Sequence, residues 1–245
     1  MNETVLKNKE EVPLRGIVKR LYKIMGKAIA DYNMLSEGDR ILIGVSGGVD
    51  SLSLLKLFCM RQKRIPINFE IIACFVDTSF VKLDRPALFE YLDSCGINYT
   101  VKKLELNTEG VGCFWCSWMR RRILFETARE HNCNKVSLGH NIDDMTETIL
   151  MNMCFRGEVS VSPPALEMFG GKLKIIRPLC YIEKKEILDF ASRFSFPDTH
   201  YECPYGKRSR RNLVKGMLEG LEKECPYVKK NIFRSLKRIK KGYLL

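Results

Sequence analysis

The residues richest in chemistry in this 245-residue chain are cysteines. Gly112-Cys113-Phe114-Trp115-Cys116 is a CxxC. Glu202-Cys203-Pro204-Tyr205 offers a third thiol, and the same tetrapeptide recurs at Glu224-Cys225-Pro226-Tyr227. Two thiolates three residues apart can bind one metal centre, and a helix N-terminus lowers a thiol pKa. With His200 and Cys203, the pair would make a Cys₃His zinc site. Three cysteines alone would hold a [4Fe–4S] cluster with one iron open, and spacing does not separate the two. A thioredoxin-type redox pair fits poorly, because the motif follows the third strand of a nucleotide-binding pattern.

A second reactive stretch is Ser46-Gly47-Gly48-Val49-Asp50-Ser51. Two glycines let the backbone turn tightly and approach a ligand without a Cβ in the way. A helix starting near Asp50 aims free N–H groups and its positive dipole end at the loop. Ser46 and Ser51 add hydroxyls, so phosphate or pyrophosphate is the expected ligand. The loop is not the GxxxxGK[ST] type, because its lysine is missing and the spacing is shorter. A glycine turn with a serine cap is the plainer alternative.

The third stretch is Gly139-His140-Asn141-Ile142-Asp143-Asp144, followed by Thr146 and Glu147. An N-cap with first-turn acids explains one aspartate. The paired acids could instead face a Mg²⁺–phosphate group, and the cap alone leaves Gly-His-Asn at a strand's carboxyl end unexplained.

These residues need a frame. Residues 40–45, 69–76, 99–106, 135–139 and 173–179 read as strands; 14–35, 50–64, 84–95, 117–131 and 143–155 read as helices, and the remainder as mostly helical. Strands alternating with helices imply an α/β fold: a Rossmann-like parallel sheet of about five strands with helices on both faces. The expected organisation is an N-terminal helical segment (1–35), a nucleotide-binding domain (36–180) and a basic helical segment (181–245). Ligands in such folds sit beyond the carboxyl ends of the strands. By that analogy, backbone groups near Cys74–Val76 are placed to read adenine.

Composition agrees with a globular α/β domain. Apolar residues make up 45% of the chain, enough for a sizeable core, and no apolar run approaches the ~20 residues of a membrane span. The polar start MNETVLKNKEEV carries no signal-peptide core, so a cytoplasmic location is expected. In a reducing compartment Cys59, Cys74, Cys95, Cys133, Cys154 and Cys180 read as small core fillers. The net charge of +12 gathers at Arg120–Arg122, at Lys207–Lys215 and in residues 226–245. Three basic clusters favour a nucleic-acid partner.

The SGGxDS loop resembles that of the PP-loop ATP pyrophosphatases, which cleave ATP between its α and β phosphates. The GHxxDDxxET-type stretch resembles their tRNA-modifying members. DYNMLSEGDRILIGVSGGVDS, GCFWCSWMRRRILFETA, LGHNIDDMTETILMNM and IIRPL together resemble the tRNA 2-thiocytidine and 2-thiouridine synthetases, over about residues 17–239. Val49 stands where the thiocytidine enzymes usually carry lysine, and Cys203-Pro204-Tyr205 is nearer the thiouridine branch.

The resemblance implies a mechanism. ATP adenylates C2 of a tRNA pyrimidine, cytidine first, and sulfur then displaces AMP at a [4Fe–4S] cluster held by Cys113, Cys116 and Cys203. Cys225 becomes a packed boundary residue. Ser46, Gly47, Gly48, Asp50, Ser51, Gly139 and His140 are expected to hold ATP, with Cys74 and Val76 at the adenine. Asp50, Asp143 and Asp144 are the candidates to position Mg²⁺ or the base. tRNA, a sulfur donor (a cysteine desulfurase, a sulfur carrier or sulfide) and a second copy in a homodimer are the expected partners. Three alternatives stay open: a lysidine-synthetase-like ligase, a persulfide on Cys113 or Cys116 without a cluster, and a zinc-stabilised RNA-binding protein with a vestigial loop.

Overall fold

Apolar residues alternate along Asp39–Val45: Ile41, Ile43 and Val45 face one side, Leu42 the other. This period of two makes the segment a strand buried on both faces. It is β1 at the centre of a computed structural model that describes residues 12–78, 81, 83–105, 113–197, 210–240 and 242. The elements run α1 (Gly16–Asp31), β1, α2 (Val49–Gln62), β2 (Phe69–Thr78), α3 (Arg85–Cys95), β3 (Asn98–Leu104), α4 (Cys113–Glu130), β4 (Lys135–Ser137), α5 (Ile142–Arg156), β5 (Ala165–Met168), β6 (Leu173–Ile176), α6 (Lys184–Ala191), α7 (Arg210–Glu224) and α8 (Val228–Ser235).

The sheet order is β3-β2-β1-β4-β6-β5. Five strands are parallel and β5 is antiparallel to β6 at the edge. The expected α/β architecture is therefore present with six strands, not five. The extra strand, Ala-Leu-Glu-Met, is four residues long and only half-covered, so its sequence carries no burial pattern. A turn through Phe169, Gly170 and Gly171, all at positive φ, returns the chain to β6.

Two apolar layers flank the sheet. One gathers Leu21 and Met25 of α1, Phe58 of α2, Ile149 of α5, Phe190 of α6 and Phe233 of α8 in a single cluster. Full burial of one such side chain is worth roughly 1.5–3 kcal/mol. The opposite layer rests on α4, through Leu124 and Ala128 against Leu42, Val136 and Ile175.

Several expectations shift. Helix α4 begins at Cys113, not near Ser117, so the CxxC lies inside its first turn. Strand β2 runs on to Thr78, so Cys74–Val76 sit within the strand and not after it. Cys74, Cys133 and Cys180 are buried and Cys59 and Cys95 half-buried, but Cys154 is exposed near the end of α5, where the helix leaves the core. Pro226 occupies a turn between α7 and α8, one residue before the cap Tyr227. Among the described residues no helix is long and apolar enough to cross a membrane.

Candidate active site

Strand order reverses between β1 and β4, both neighbours in the sheet whose connections leave in opposite directions. Such a switch point opens a crevice at the strands' carboxyl ends. A cavity of about 270 Å³ lies there. Its walls are Gly44–Ser46 after β1, Cys74–Thr78 of β2, Leu138–His140 after β4, Asp50 and Ser51 of α2, Asp144 of α5, and Ser117, Arg120, Arg121 and Leu124 of α4.

The phosphate loop is held by its own hydroxyls. The Ser46 amide donates to Ser51 Oγ (3.1 Å), the Gly48 amide donates to Ser46 Oγ (3.3 Å), and the Ser51 hydroxyl donates to the Gly48 carbonyl (2.8 Å). Gly47 sits at φ +83°, in the left-handed region that other residues avoid. Gly48 caps α2 without a side chain; the Ser51 amide turns back to the Gly48 carbonyl (3.0 Å), leaving the Val49 and Asp50 amides to a ligand. Val49 packs against the main core.

Across the crevice, a Cβ on Gly139 would lie 3.2 Å from Asp50 C and Ser51 N. That is tighter than most Cβ contacts, so glycine suits the close approach of β4's exit to the start of α2. The next residues lock the two helix starts together. Asn141 Oδ1 accepts from the Asp143 and Asp144 amides (2.9 and 3.2 Å), and Asp144 Oδ2 accepts from the Asn141 amide (3.1 Å), a complete capping box. Asn141 Nδ2 donates to Asp50 Oδ1 (3.1 Å). Lys184, the first residue of α6, donates through Nζ to Asp50 Oδ2.

The aspartate pair divides. Asp144 lines the cavity, and burial raises its carboxyl pKa against the Asn141 amide and Arg211. Asp143 lies outside the cavity lining: Lys229 of α8 pairs with it at 2.8 Å and the Lys184 amide donates to it at 2.8 Å. Asp143 thus ties α5 to the C-terminal helices.

His140 lines the cavity with its Nδ1 buried and unpartnered among the described residues. Burial, reinforced by Arg177, Arg121 and Arg211, pushes its imidazole down to about 3, so it stays neutral at physiological pH. Cys74 also lines the cavity, but burial pushes its thiol up to about 11, which leaves it inert. Strand β1 ends opposite Phe75, so from Val76 onward β2 is paired with β3 alone among the described residues. Its edge there faces the cavity.

On α4, Cys113 and Cys116 are three residues apart in the first turn, which places the two positions on one side of the helix. Ser117, Arg120 and Arg121 follow directly and line the cavity, with Arg121 donating to Ser117 Oγ at 3.1 Å. The two cysteine positions are thus within about one helical turn of Ser117 on the cavity wall. Cys203 and His200 lie outside the described residues. Among the described residues, no group of three metal-ligating side chains forms. A set of three thiolates suits iron–sulfur chemistry.

Three site residues escape sequence reading: Lys184, Asp77 and Arg85 act through contacts that spacing does not reveal, as does the bond of Asn141 to Asp50. Arg85 grips Asp77 with two hydrogen bonds (2.9 and 2.7 Å) and braces the β2–α3 crossover at the cavity wall. Much of the C-terminal charge is internal: Arg211 reaches Asp144 and Glu147, Lys229 reaches Asp143 and Glu222, and Lys230 reaches Glu183. These cations hold α7 and α8 on the fold.

A PP-loop domain family matches residues 17–219. The tRNA-cytidine(32) 2-sulfurtransferase of Geotalea uraniireducens is 34% identical over 236 residues, covering 92% of this chain and 94% of that protein. The tRNA-cytidine(32) 2-sulfurtransferase of Shigella dysenteriae is 34% identical over 254 residues, covering 99% of this chain and 81% of that one. Among solved structures, the U34-tRNA thiolase NcsA from Methanococcus maripaludis with its [4Fe–4S] cluster superposes with a TM-score of 0.75 at 27% identity, over 91% of this chain and 78% of that one. This chain therefore belongs to the PP-loop ATP pyrophosphatases, within their family of tRNA 2-sulfurtransferases.

Proposed function

We propose that this protein is an ATP-dependent enzyme that thiolates C2 of a tRNA cytidine, through adenylation of the base and release of AMP and pyrophosphate. One observation carries the reading. The phosphate loop and the helix that begins with the CxxC line a single cavity, the first through Ser46, Asp50 and Ser51 and the second through Ser117, Arg120 and Arg121. The names of the relatives at 34% identity favour cytidine as the target.

The residues divide the work. First-turn amides of α2 and the Ser46 and Ser51 hydroxyls bind the ATP phosphates. The open edge of β2 at Val76 meets the adenine. Asp50 and Asp144 position Mg²⁺, while Asn141 and Lys184 orient Asp50. Arg120 and Arg121 stabilise charge on the leaving pyrophosphate. His140, neutral, offers a hydrogen bond to the base. The C2 oxygen attacks the α-phosphorus and pyrophosphate leaves; a sulfide-level sulfur then attacks C2 and AMP leaves with the oxygen. One C–O bond is exchanged for one C–S bond, and no net oxidant is needed. Cys113, Cys116 and Cys203 would hold a [4Fe–4S] cluster. When bound, it supplies an iron without a protein ligand where inorganic sulfur can be held. The base must leave its stack to reach the cavity, so a loop nucleotide is the substrate.

Mass spectrometry of tRNA nucleosides from a strain lacking the gene tests this directly. Loss of 2-thiocytidine, restored by the wild-type gene and not by Cys113→Ala, is expected. An unchanged 2-thiocytidine level sinks the assignment.

A further inference from the structure

Helix α4 carries a second feature that the reaction does not use. Trp115 and Trp118 stack on one another, with ring centroids 5.0 Å apart and planes at 21°. They are 46% and 43% exposed. Two indoles left half in water forgo the burial that normally stabilises so large an apolar surface. Arg122 lies over the Trp118 ring at 6.0 Å and pairs with Glu126 at 2.8 Å. Trp115, Trp118 and Arg122 follow i, i+3, i+7 spacing along one face. Ser117, Arg121 and Leu124 line the cavity from another face of the same helix. The stack and the cavity are therefore about one helix diameter apart, ~10–12 Å.

We propose that Trp115 and Trp118 form a stacking platform for an unpaired RNA base next to the nucleotide that enters the cavity. The inference rests on the reading of the protein as a tRNA-thiolating enzyme and adds where the neighbouring nucleotide is held. Flipping one base into the cavity strips its neighbour of a stacking partner, and an exposed indole face replaces that partner. Every base has such a face, so the platform holds a strand without reading its sequence. Arg122, beside Trp118, and a net charge of +12 supply the attraction for the RNA phosphates.

The chain contains two tryptophans, both in this pair, so intrinsic indole emission reports on the platform alone. Full-length protein is titrated with an anticodon stem–loop RNA and with a blunt duplex of the same stem. The stem–loop is expected to quench the emission and the duplex to leave it unchanged. A labelled stem–loop should bind the Trp115→Ala/Trp118→Ala variant roughly ten-fold more weakly. The Trp115→Phe/Trp118→Phe variant should keep most of the affinity, and ATP binding should not change in either. Unchanged stem–loop affinity and unchanged KM for tRNA in the double alanine variant overturn the platform while thiolation stands. Emission that shifts with protein concentration and ignores RNA overturns it in favour of a second copy of the chain. Failure of the wild-type protein to bind or thiolate tRNA at all removes the underlying reading as well.

Discussion

His140 shows how one side chain can be set by its surroundings. Burial and three guanidiniums hold the imidazole neutral down to about pH 3. In the unfolded chain it titrates near ~6.5. Between those values the unfolded state takes up a proton that the folded state refuses, so stability is full above pH ~6.5 and falls as pH falls. The slope from this residue is at most about 1.4 kcal/mol per pH unit. Urea midpoints measured at pH 7 and pH 5 should therefore diverge less in His140→Gln than in the wild type; an equal divergence would show that the imidazole does not titrate this way. Lys184 is the other residue to test. The phosphate loop has no cation of its own, Val49 is turned into the core, and Lys184 Nζ sits on Asp50. Lys184→Met should raise the KM for ATP roughly ten-fold, the order expected for one charge-assisted bond, with little change in the KM for tRNA. An unaltered KM for ATP would make the lysine merely structural.

At the scale of elements, the site depends on close approach between the exit of β4 and the start of α2. Gly139 makes that approach possible, with backbone atoms of Asp50 and Ser51 at 3.2 Å from where a Cβ would stand. Gly139→Ala therefore asks the Asp50–Ser51 backbone to give way by a few tenths of an ångström, which shifts the phosphate loop against the exit of β4. Pyrophosphate release should fall roughly ten-fold, the effect of about 1.4 kcal/mol on the barrier. Circular dichroism should stay native, because the six-stranded sheet is not touched. Wild-type turnover in this variant would show that the gap is not needed. Such local glycines were legible from sequence, because SGGxDS and GHN stand at strand ends where few other functions use that pattern. The antiparallel β5 was not, because a half-covered four-residue edge strand carries no periodicity. The start of α4 was placed four residues late, since Cys-Phe-Trp-Cys gives no cap signal and a metal motif reads as loop.

For the whole molecule, what stayed illegible is contact across long separations. Asn141 meets Asp50 across 91 residues and Lys184 meets it across 134. Neither pair leaves a mark on local spacing. The same limit applies to charge. Composition counted the C-terminal cations as an RNA surface, but Lys229, Lys230 and Arg211 are engaged with Asp143, Glu183 and Asp144. The C-terminal helices thus serve the fold first, holding α5 and α6 around the acids of the cavity. The complete account joins an ATP site, a thiolate helix and an RNA surface in one chain, and one reaction tests the joining. Anaerobically purified protein is supplied with ATP, Mg²⁺, sulfide and unmodified tRNA, and nucleotides and nucleosides are measured together. The account predicts AMP and pyrophosphate in a 1:1 ratio with 2-thiocytidine, about one of each per thiolated tRNA, as a single adenylation per product requires. Release of ADP and phosphate, or thiolation that proceeds without ATP, would contradict it.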